Sequence, residues 1–354
     1  MNGGLLIPPP FFEDLINHKG YRIFMSEVGI GIIGGAGFVG SRLSMRFDRV
    51  GRKYLVCDIN TEDRSDNIIY LDVEDEKSLD QLGGFKCIIN LAAVHRDDVR
   101  PLTRYDDVNV QGAVNVCKAA RKHNISKIIF TSSVAIYGFA PAGTDESGGP
   151  NYFNDYGRTK FFAEGVYKEW QAEDPDNRSL VIIRPTVIFG EGNRGNVYNL
   201  LKQISTRRFV MFGDGKNRKS MAYVENIAAF LEYCLSFDPG LHVYNYIDQP
   251  DLDMNTLITK ARKTLFGKNN VGPRLPGFLG VFIGYAADVV AKVINKSLPV
   301  SSIRVKKFMG TTQFASSVGD TGFVPPVSLE KGLAQTLRYE FLEDNSTKRT
   351  FDTE

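Results

Sequence analysis

The stretch Val28-Gly29-Ile30-Gly31-Ile32-Ile33-Gly34-Gly35-Ala36-Gly37-Phe38-Val39-Gly40 decides the fold. Its first half is apolar and rich in β-branched residues, which predicts a strand over Val28–Ile33. Its second half is a glycine turn that opens directly into a helical pattern, Val39–Val50. Strand, glycine turn and helix in that order make a phosphate-binding unit. The glycines let the backbone turn tightly and approach a pyrophosphate, whose charge then meets the free amides at the helix start. Gly34, Gly37, Phe38, Val39 and Gly40 are the candidate contacts of a dinucleotide.

The same rhythm runs outward from this unit. Further strands are predicted at Lys53–Asp58, Asn67–Leu71, Lys86–Leu91, Ser126–Ser132 and Leu180–Arg184, and helices at Ser78–Leu82, Tyr105–His123 and Asp155–Ala172. This alternation predicts an α/β fold, a doubly wound parallel Rossmann sheet whose ligands lie beyond the carboxyl ends of the strands. From about residue 186 the pattern loosens into shorter strands (Phe209–Phe212, Val243–Ile247) and helices (Tyr223–Ser236, Met254–Phe266, Leu329–Leu342). The expected organisation is an N-terminal extension over 1–27, a dinucleotide-binding domain over 28–185, a smaller C-terminal α/β substrate lobe over 186–345 and a tail over 346–354. No linker marks the joint at 185, so the chain is free to interleave between the two.

A chain of 354 residues with 43% hydrophobic content is long enough for one large core and an appended lobe. The formal charge of +2 excludes a general nucleic-acid binder, which would need a strong basic excess. Cys57, Cys87, Cys117 and Cys234 have no metal-ligand spacing and the first three fall in apolar runs. They are expected to be reduced core residues in a reducing compartment, with no metal site. Residues 1–24 are broken by Pro8-Pro9-Pro10 and by Glu13-Asp14, unlike an export signal, so a cytoplasmic location is expected. Met25 stands just before the first strand, which fits an upstream start codon or a loose extension.

Asp58 ends the second predicted strand, where a carboxylate accepts hydrogen bonds from adenosine ribose hydroxyls and repels a 2′-phosphate. That favours NAD over NADP, although an aspartate at a strand end can equally cap a turn. Asp72 and Val73, after the third strand, are candidate adenine contacts.

In Tyr156-Gly157-Arg158-Thr159-Lys160 the tyrosine and lysine lie at i and i+4 near a helix start, on one face. A free tyrosine ionises near pH 10, so it serves as a base at neutrality only if a neighbouring cation such as Lys160 and the nicotinamide charge stabilise its phenolate. Ser133 ends the apolar strand Ile128-Ile129-Phe130-Thr131-Ser132, facing the mouth of the site, where its hydroxyl can hold a substrate hydroxyl or ketone in line with Tyr156.

Together these pieces resemble the extended short-chain dehydrogenase/reductase family, through Gly-x-x-Gly-x-x-Gly at 34–40, Thr-Ser-Ser-x-x-x-Tyr-Gly at 131–138 and Tyr-x-x-x-Lys at 156–160. Leu91-Ala92-Ala93 is similar to the family's cofactor-supporting turn, Asn109 to its central-helix asparagine, and Gly322-Phe323-Val324-Pro325 with Leu329-Glu330-Lys331-Gly332-Leu333 to its closing signature. The resemblance implies bound NAD and a catalytic set of Ser133, Tyr156 and Lys160, the last two also holding cofactor.

Within the family, dehydratases carry an acidic pair where this chain has Ser132-Ser133, which leaves an epimerase or a simple reductase. Members acting on UDP-sugars have an asparagine after the sixth strand, touching the diphosphate; here the run is Arg184-Pro185-Thr186-Val187. Where they carry Arg-Asp-Phe, this chain has Lys219-Ser220-Met221, and Asn226 replaces their aspartate. Lysine keeps a positive charge without the two-pronged grip of arginine. The runs His95-Arg96-Asp97-Asp98-Val99, Ile183–Gly190, Asn193–Asn199 and Ser302-x-Arg304-Val305-Lys306-Lys307-Phe308 resemble the bacterial 4-epimerases of undecaprenyl-diphosphate-linked N-acetylglucosamine, which serve surface-polysaccharide assembly. That resemblance implies a lipid-linked substrate, with a UDP-hexose or UDP-N-acetylhexosamine as the alternative and an NAD(P)-dependent reductase as a second. His95, Arg96, Ser133, Asn193, Arg194, Lys219 and Arg304 are the candidate substrate contacts; a solvated surface turn is the alternative for His95 and Arg96.

Residues 275–287 carry no charge, and Phe278, Phe282, Ala286, Val289 and Val293 recur at helical spacing, with Asp288, Lys292 and Asn295 opposite. Five basic residues and no acidic one follow between 289 and 310: Lys292, Lys296, Arg304, Lys306 and Lys307. Too short and charged to span a bilayer, this segment suits peripheral contact with a membrane or a lipid-diphosphate groove. A core helix or a homodimer surface fits the pattern as well.

Overall fold

A computed structural model describes residues 29–62, 67–96, 98–294 and 302–353. The expected extension at 1–27, Asp97, Asn295 and Lys296 lie outside the described residues. Strands β1 (Ile30–Ile33), β2 (Leu55–Asp58), β3 (Ile68–Tyr70), β4 (Cys87–Asn90), β5 (Lys127–Thr131) and β6 (Ser179–Pro185) are the six predicted ones, each shifted at its ends by a residue or two. They form one parallel sheet with a seventh strand, Gly240–Tyr246, in the order seventh, β6, β5, β4, β1, β2, β3.

That seventh strand differs from the sequence expectation, which put a strand at Val243–Ile247 in the second region. It pairs with β6 along its whole length, Gly240 with Ser179 through Tyr246 with Pro185. The chain therefore leaves the sheet after β6, builds part of the lobe and returns.

Side chains alternate across the sheet as the pleat requires. Ile88 and Ile128 pack on one face with Phe85, Val116, Tyr167 and Trp170, while Ile89 and Ile129 pack on the other with Leu43, Phe47, Ile227 and Phe230. Burial on both faces explains why these strands read as continuous apolar runs. All four cysteines are buried and free, on these same surfaces.

The lobe is assembled from strand pairs, Val187–Phe189 with Met221–Tyr223, Met211–Phe212 with Arg274–Leu275, and Arg218–Lys219 with Leu252–Asp253. Helices Asn196–Ser205, Met254–Phe266 and Leu329–Phe341 close a third core around Phe189, Leu201, Met221, Leu257 and Leu333. Helix Gly277–Ile294 turns Gly280 toward Phe212 and leaves Phe278 and Phe282 73% and 71% exposed. Ile283 and Tyr285 beside them are also exposed; Val289, Val290, Val293 and Ile294 are described only as backbone. No helix of the described residues is long and apolar enough to cross a membrane.

Candidate active site

The carboxyl edge of the sheet gathers the predicted residues. β1 ends at Ile33 and helix α1 (Phe38–Arg49) begins after four residues of glycine loop. Gly34 has a φ of +73°, and a Cβ there would lie 2.7 Å from the Ala92 amide nitrogen. A Cβ on Gly40 would lie 2.5 Å from Gly35 Cα, so the third glycine is what lets α1 start against its own loop. No side chain caps the α1 N-terminus at Gly37, which leaves its first amides open to an anion.

Asp58 unites both readings offered for it. Its Oδ2 accepts from the Ala36 amide in the glycine loop at 2.9 Å, and its Oδ1 from the Asn60 amide at 2.9 Å. Each oxygen keeps acceptor capacity after one such bond. Asp72 caps its own turn through Glu74 N at 2.9 Å, and Val73 is buried against Gly112 with its carbonyl bonded to Asn115.

The turn after β4 is fixed from two sides. Leu91 N donates to Ile33 O at 2.8 Å and Ala92 N to Asn90 Oδ1 at 3.0 Å, while Ala93 leads into a clamp on Val94. Asn109 forms that clamp, accepting from Val94 N at 2.8 Å and donating to Val94 O and Thr159 Oγ1, both at 2.9 Å. It sits in a π-helical stretch, Asp106–Gln111, between Thr103–Tyr105 and helix α2 (Gly112–Lys122), where the sequence pattern predicts one uninterrupted α-helix. π turns of this kind recur at functional sites.

Helix α3 (Asp155–Ala172) starts at Asn154, whose side chain accepts from Gly157 N at 2.9 Å. A Cβ on Gly157 would lie 2.4 Å from Ala135 O, so α3 presses directly on the turn Val134–Tyr137. Ser133 caps that turn by accepting from Ala135 N at 3.1 Å, and is thereby brought to Tyr156. Burial raises the Tyr156 pKa, and the hydrogen bond from Ser133 opposes the rise. Lys160 is 2% exposed, donates to Thr131 O at 2.7 Å and lies 4.6 Å from the centre of the Phe130 ring. Burial pushes its ammonium down to about 7, against the pull of the Glu164 carboxylate one turn further along α3.

Glu164 is a site residue that the sequence reading missed. Fully buried, it accepts from Ser132 Oγ at 2.7 Å and from Arg184 Nε and Nη2 at 2.8 and 2.6 Å. These bonds, led by Arg184, hold the carboxyl below the usual range against its burial. Arg184 also donates to Tyr137 OH at 2.6 Å, which donates to Asn245 Oδ1 at 2.8 Å on the seventh strand. Ser132 therefore points away from its neighbour Ser133, and the two serines belong to different environments. The available signal was the i, i+4 spacing of Lys160 and Glu164 on α3.

The candidate substrate contacts are dispersed. His95 is exposed, yet the desolvation of its ring, with the Lys160 and Arg96 charges, holds it below its ordinary pKa. Arg96 forks onto Asp98 at 3.0 and 2.7 Å, and its carbonyl accepts from Tyr105 OH. Arg194 is paired with Glu340 at 2.8 Å and lies 4.2 Å over the Tyr198 ring. Asn193 is 3% exposed and accepts from Gly195 N at 2.8 Å. Lys219 donates to Thr312 Oγ1 at 3.2 Å and is pushed down to about 8 by burial. Asn226, buried, donates to Asp248 at 2.9 Å and Val327 O at 2.7 Å, a structural tie. Val187 is 39% exposed just past β6. Arg304 lies on helix Ser302–Met309, of which its side chain is outside the described residues.

These features fit a bound dinucleotide: an uncapped helix start behind a glycine loop, a strand-end carboxylate, and a lysine with two N–H donors beyond its bond to Thr131 O. Thr131 Oγ1 beside that lysine is buried with no hydrogen-bond partner among the described residues. A sequence profile of the NAD dependent epimerase/dehydratase family matches residues 30–246, and the chain belongs to that family.

Among individual relatives, it is 47% identical over 334 residues to N-acetyl-alpha-D-glucosaminyl-diphospho-ditrans,octacis-undecaprenol 4-epimerase of Escherichia coli O157:H7, covering 91% of this chain and 98% of that one. UDP-glucose 4-epimerase of Vibrio cholerae is 25% identical over 288 residues, covering 73% of this chain and 76% of its own. The fold matches the crystal structure of UDP-glucose 4-epimerase from Thermotoga maritima with a TM-score of 0.68 at 21% identity, over 89% of this chain and 99% of the other.

Proposed function

We infer that the chain is an NAD-dependent isomerase, a 4-epimerase that interconverts N-acetylglucosamine and N-acetylgalactosamine carried on a lipid diphosphate. The observation that carries this reading is the 47% identity, across nearly the whole of both chains, to the relative named for that substrate. The 4-epimer of N-acetylglucosamine is N-acetylgalactosamine, so the product follows from the stereochemistry.

The cofactor side falls to the loop amides at Gly34, Gly37, Phe38, Val39 and Gly40 for the pyrophosphate, Asp58 for the ribose, and Asp72 with Val73 for the adenine. The Leu91-Ala92-Ala93 turn supports the dinucleotide, and the remaining Lys160 donors suit the hydroxyls of its second ribose. Bound there, NAD would supply a reversible hydride acceptor for C4 of the sugar, so no net oxidation would accumulate.

Ser133 holds the 4-hydroxyl in line with Tyr156, and Tyr156 takes its proton as C4 becomes a ketone. Burial raises the cost of the phenolate, and the Lys160 and nicotinamide charges would lower it. After the 4-keto sugar turns over, Tyr156 returns the proton to the oxygen and C4 has inverted. Ser132, held on Glu164, leaves no acidic pair at the strand end to expel water, which supports epimerisation over dehydration. Tyr156→Phe should lower kcat about 10³-fold while leaving NAD bound. Product-sugar analysis with full retained turnover would remove Tyr156 from the mechanism.

Lys219 and the backbone neighbourhood of Arg304 are our candidates for the diphosphate, and His95 with Arg96 for the sugar. Helix Gly277–Ile294 supports a peripheral seat at the cytoplasmic face of a membrane. It buries Gly280 and Gly284 and turns Phe278, Phe282 and Tyr285 outward, the reverse of what a water-facing helix does. Flotation with anionic liposomes tests this: the unmodified protein should rise with the vesicles and Phe278→Glu/Phe282→Glu should not. An unmodified protein that stays at the bottom removes the membrane contact.

A further inference from the structure

Residues 349–353 return from the lobe to the carboxyl edge of the sheet. Phe351 forms a parallel bridge with Asn193, donating its amide to Gly192 O at 2.8 Å and accepting from Arg194 N at 2.9 Å. Thr353 Oγ1 accepts from Asn193 Nδ2 at 3.1 Å, and a Cβ on Gly195 would lie 2.5 Å from that same oxygen. The loop at 192–195 is thus shaped to take this segment. The Phe351 ring meets Phe38 at 5.7 Å between centres, with the Arg349 guanidinium over it at 5.0 Å.

Two separate parts of the chain meet this one short segment. Phe38 is the first residue of α1, directly after the glycine loop. The run 192–195 follows Val187–Phe189, the strand just past β6. Both stand where ligands of a doubly wound sheet bind.

We propose that Phe351 is a positioning residue of the cofactor site: the segment 349–353 straps the α1 start and the 192–195 loop together over the dinucleotide crevice, and slows NAD release. Phe351 fixes the α1 start by covering Phe38, which the pyrophosphate amides depend on. Holding the bound state together acts on the off-rate. Such retention suits an enzyme whose cofactor is restored in every cycle. The inference rests on NAD as the family's cofactor and is independent of which sugar carrier is used.

The test follows bound NAD released over time from purified protein after rapid desalting, by chromatography of the filtrate. Phe351→Ala should release NAD roughly five to ten times faster than the unmodified protein, the amount an aromatic contact supports, and Phe351→Tyr at the unmodified rate. In turnover without added NAD, Phe351→Ala should lose activity progressively, and added NAD should restore kcat with an unchanged KM for the sugar. Should Phe351→Ala fail to fold, Phe351→Leu, which keeps an apolar side chain against Phe38, and Thr353→Val, which loses the bond from Asn193, carry the test with about a twofold faster release each. Release at the unmodified rate from Phe351→Ala, or from both substitutes, overturns the proposal. An unmodified protein that neither retains nor binds NAD on titration would overturn it too, by removing the cofactor itself.

Discussion

At the ends of β1 and β4 the recognition surface is mostly backbone: loop amides, glycines packed against neighbouring main chain, and a turn clamped by Asn109. In the lobe the candidate surface consists of side chains, and some charges already have protein partners, Arg194 with Glu340 and Lys260 with Glu330. The difference teaches where sequence patterns inform. A glycine that must be a glycine is visible in one dimension; an arginine aimed at a ligand and one aimed at a buried glutamate look the same until the fold pairs them.

The sharpest way to break this contrast is to attack a side-chain network inside the cofactor half. Glu164→Gln leaves the buried Arg184 charge without its partner, and should cost about 3–5 kcal/mol of stability, read from denaturant unfolding. A cost below about 1 kcal/mol would mean that backbone geometry alone holds the strand end.

A smaller effect comes from Lys160. Its pKa in the folded NAD-free protein is about 7, below the unfolded value, so between those values the unfolded chain binds more protons. Stability relative to Lys160→Met should therefore rise with pH, by about 2 kcal/mol from pH 7 to pH 9. A flat difference over that window would mean the ammonium keeps its charge in the core.

Smallest is the lobe pair that separates a structural cation from a binding one. Arg194→Met should shift the KM for the sugar by less than about twofold, since Arg194 already serves the buried Glu340 carboxylate. Lys219→Met should raise that KM about tenfold with kcat kept, the loss expected for one charge-assisted phosphate contact. The opposite ranking would return Arg194 to the substrate.

Much of the cofactor half was legible. The strand-turn-helix order placed β1 and α1, the i, i+4 spacing of Tyr156 and Lys160 placed both on α3, and the apolar run before Ser133 placed it at a strand end. The boundaries of α3 and of the helix Met254–Phe266 are those the periodicity predicts. Other features depend on partners distant in sequence. The seventh strand needs the edge of β6, the π turn at Asp106–Gln111 needs Val94 and Thr159 to hold Asn109, and the paths of Ser132 and Ser133 diverge only because Glu164 waits on α3. The path of residues 349–353 is invisible in sequence, because it is set by Gly192 and Asn193 rather than by any pattern of its own.

The choice of sugar carrier is tested most directly by giving the purified protein undecaprenyl-diphosphate-linked N-acetylglucosamine and UDP-N-acetylglucosamine in separate reactions, without added NAD, and hydrolysing the products for sugar analysis. The expected result is N-acetylgalactosamine from the lipid-linked sugar and none above background from the nucleotide sugar. N-acetylgalactosamine from the nucleotide sugar alone would contradict the lipid-diphosphate carrier.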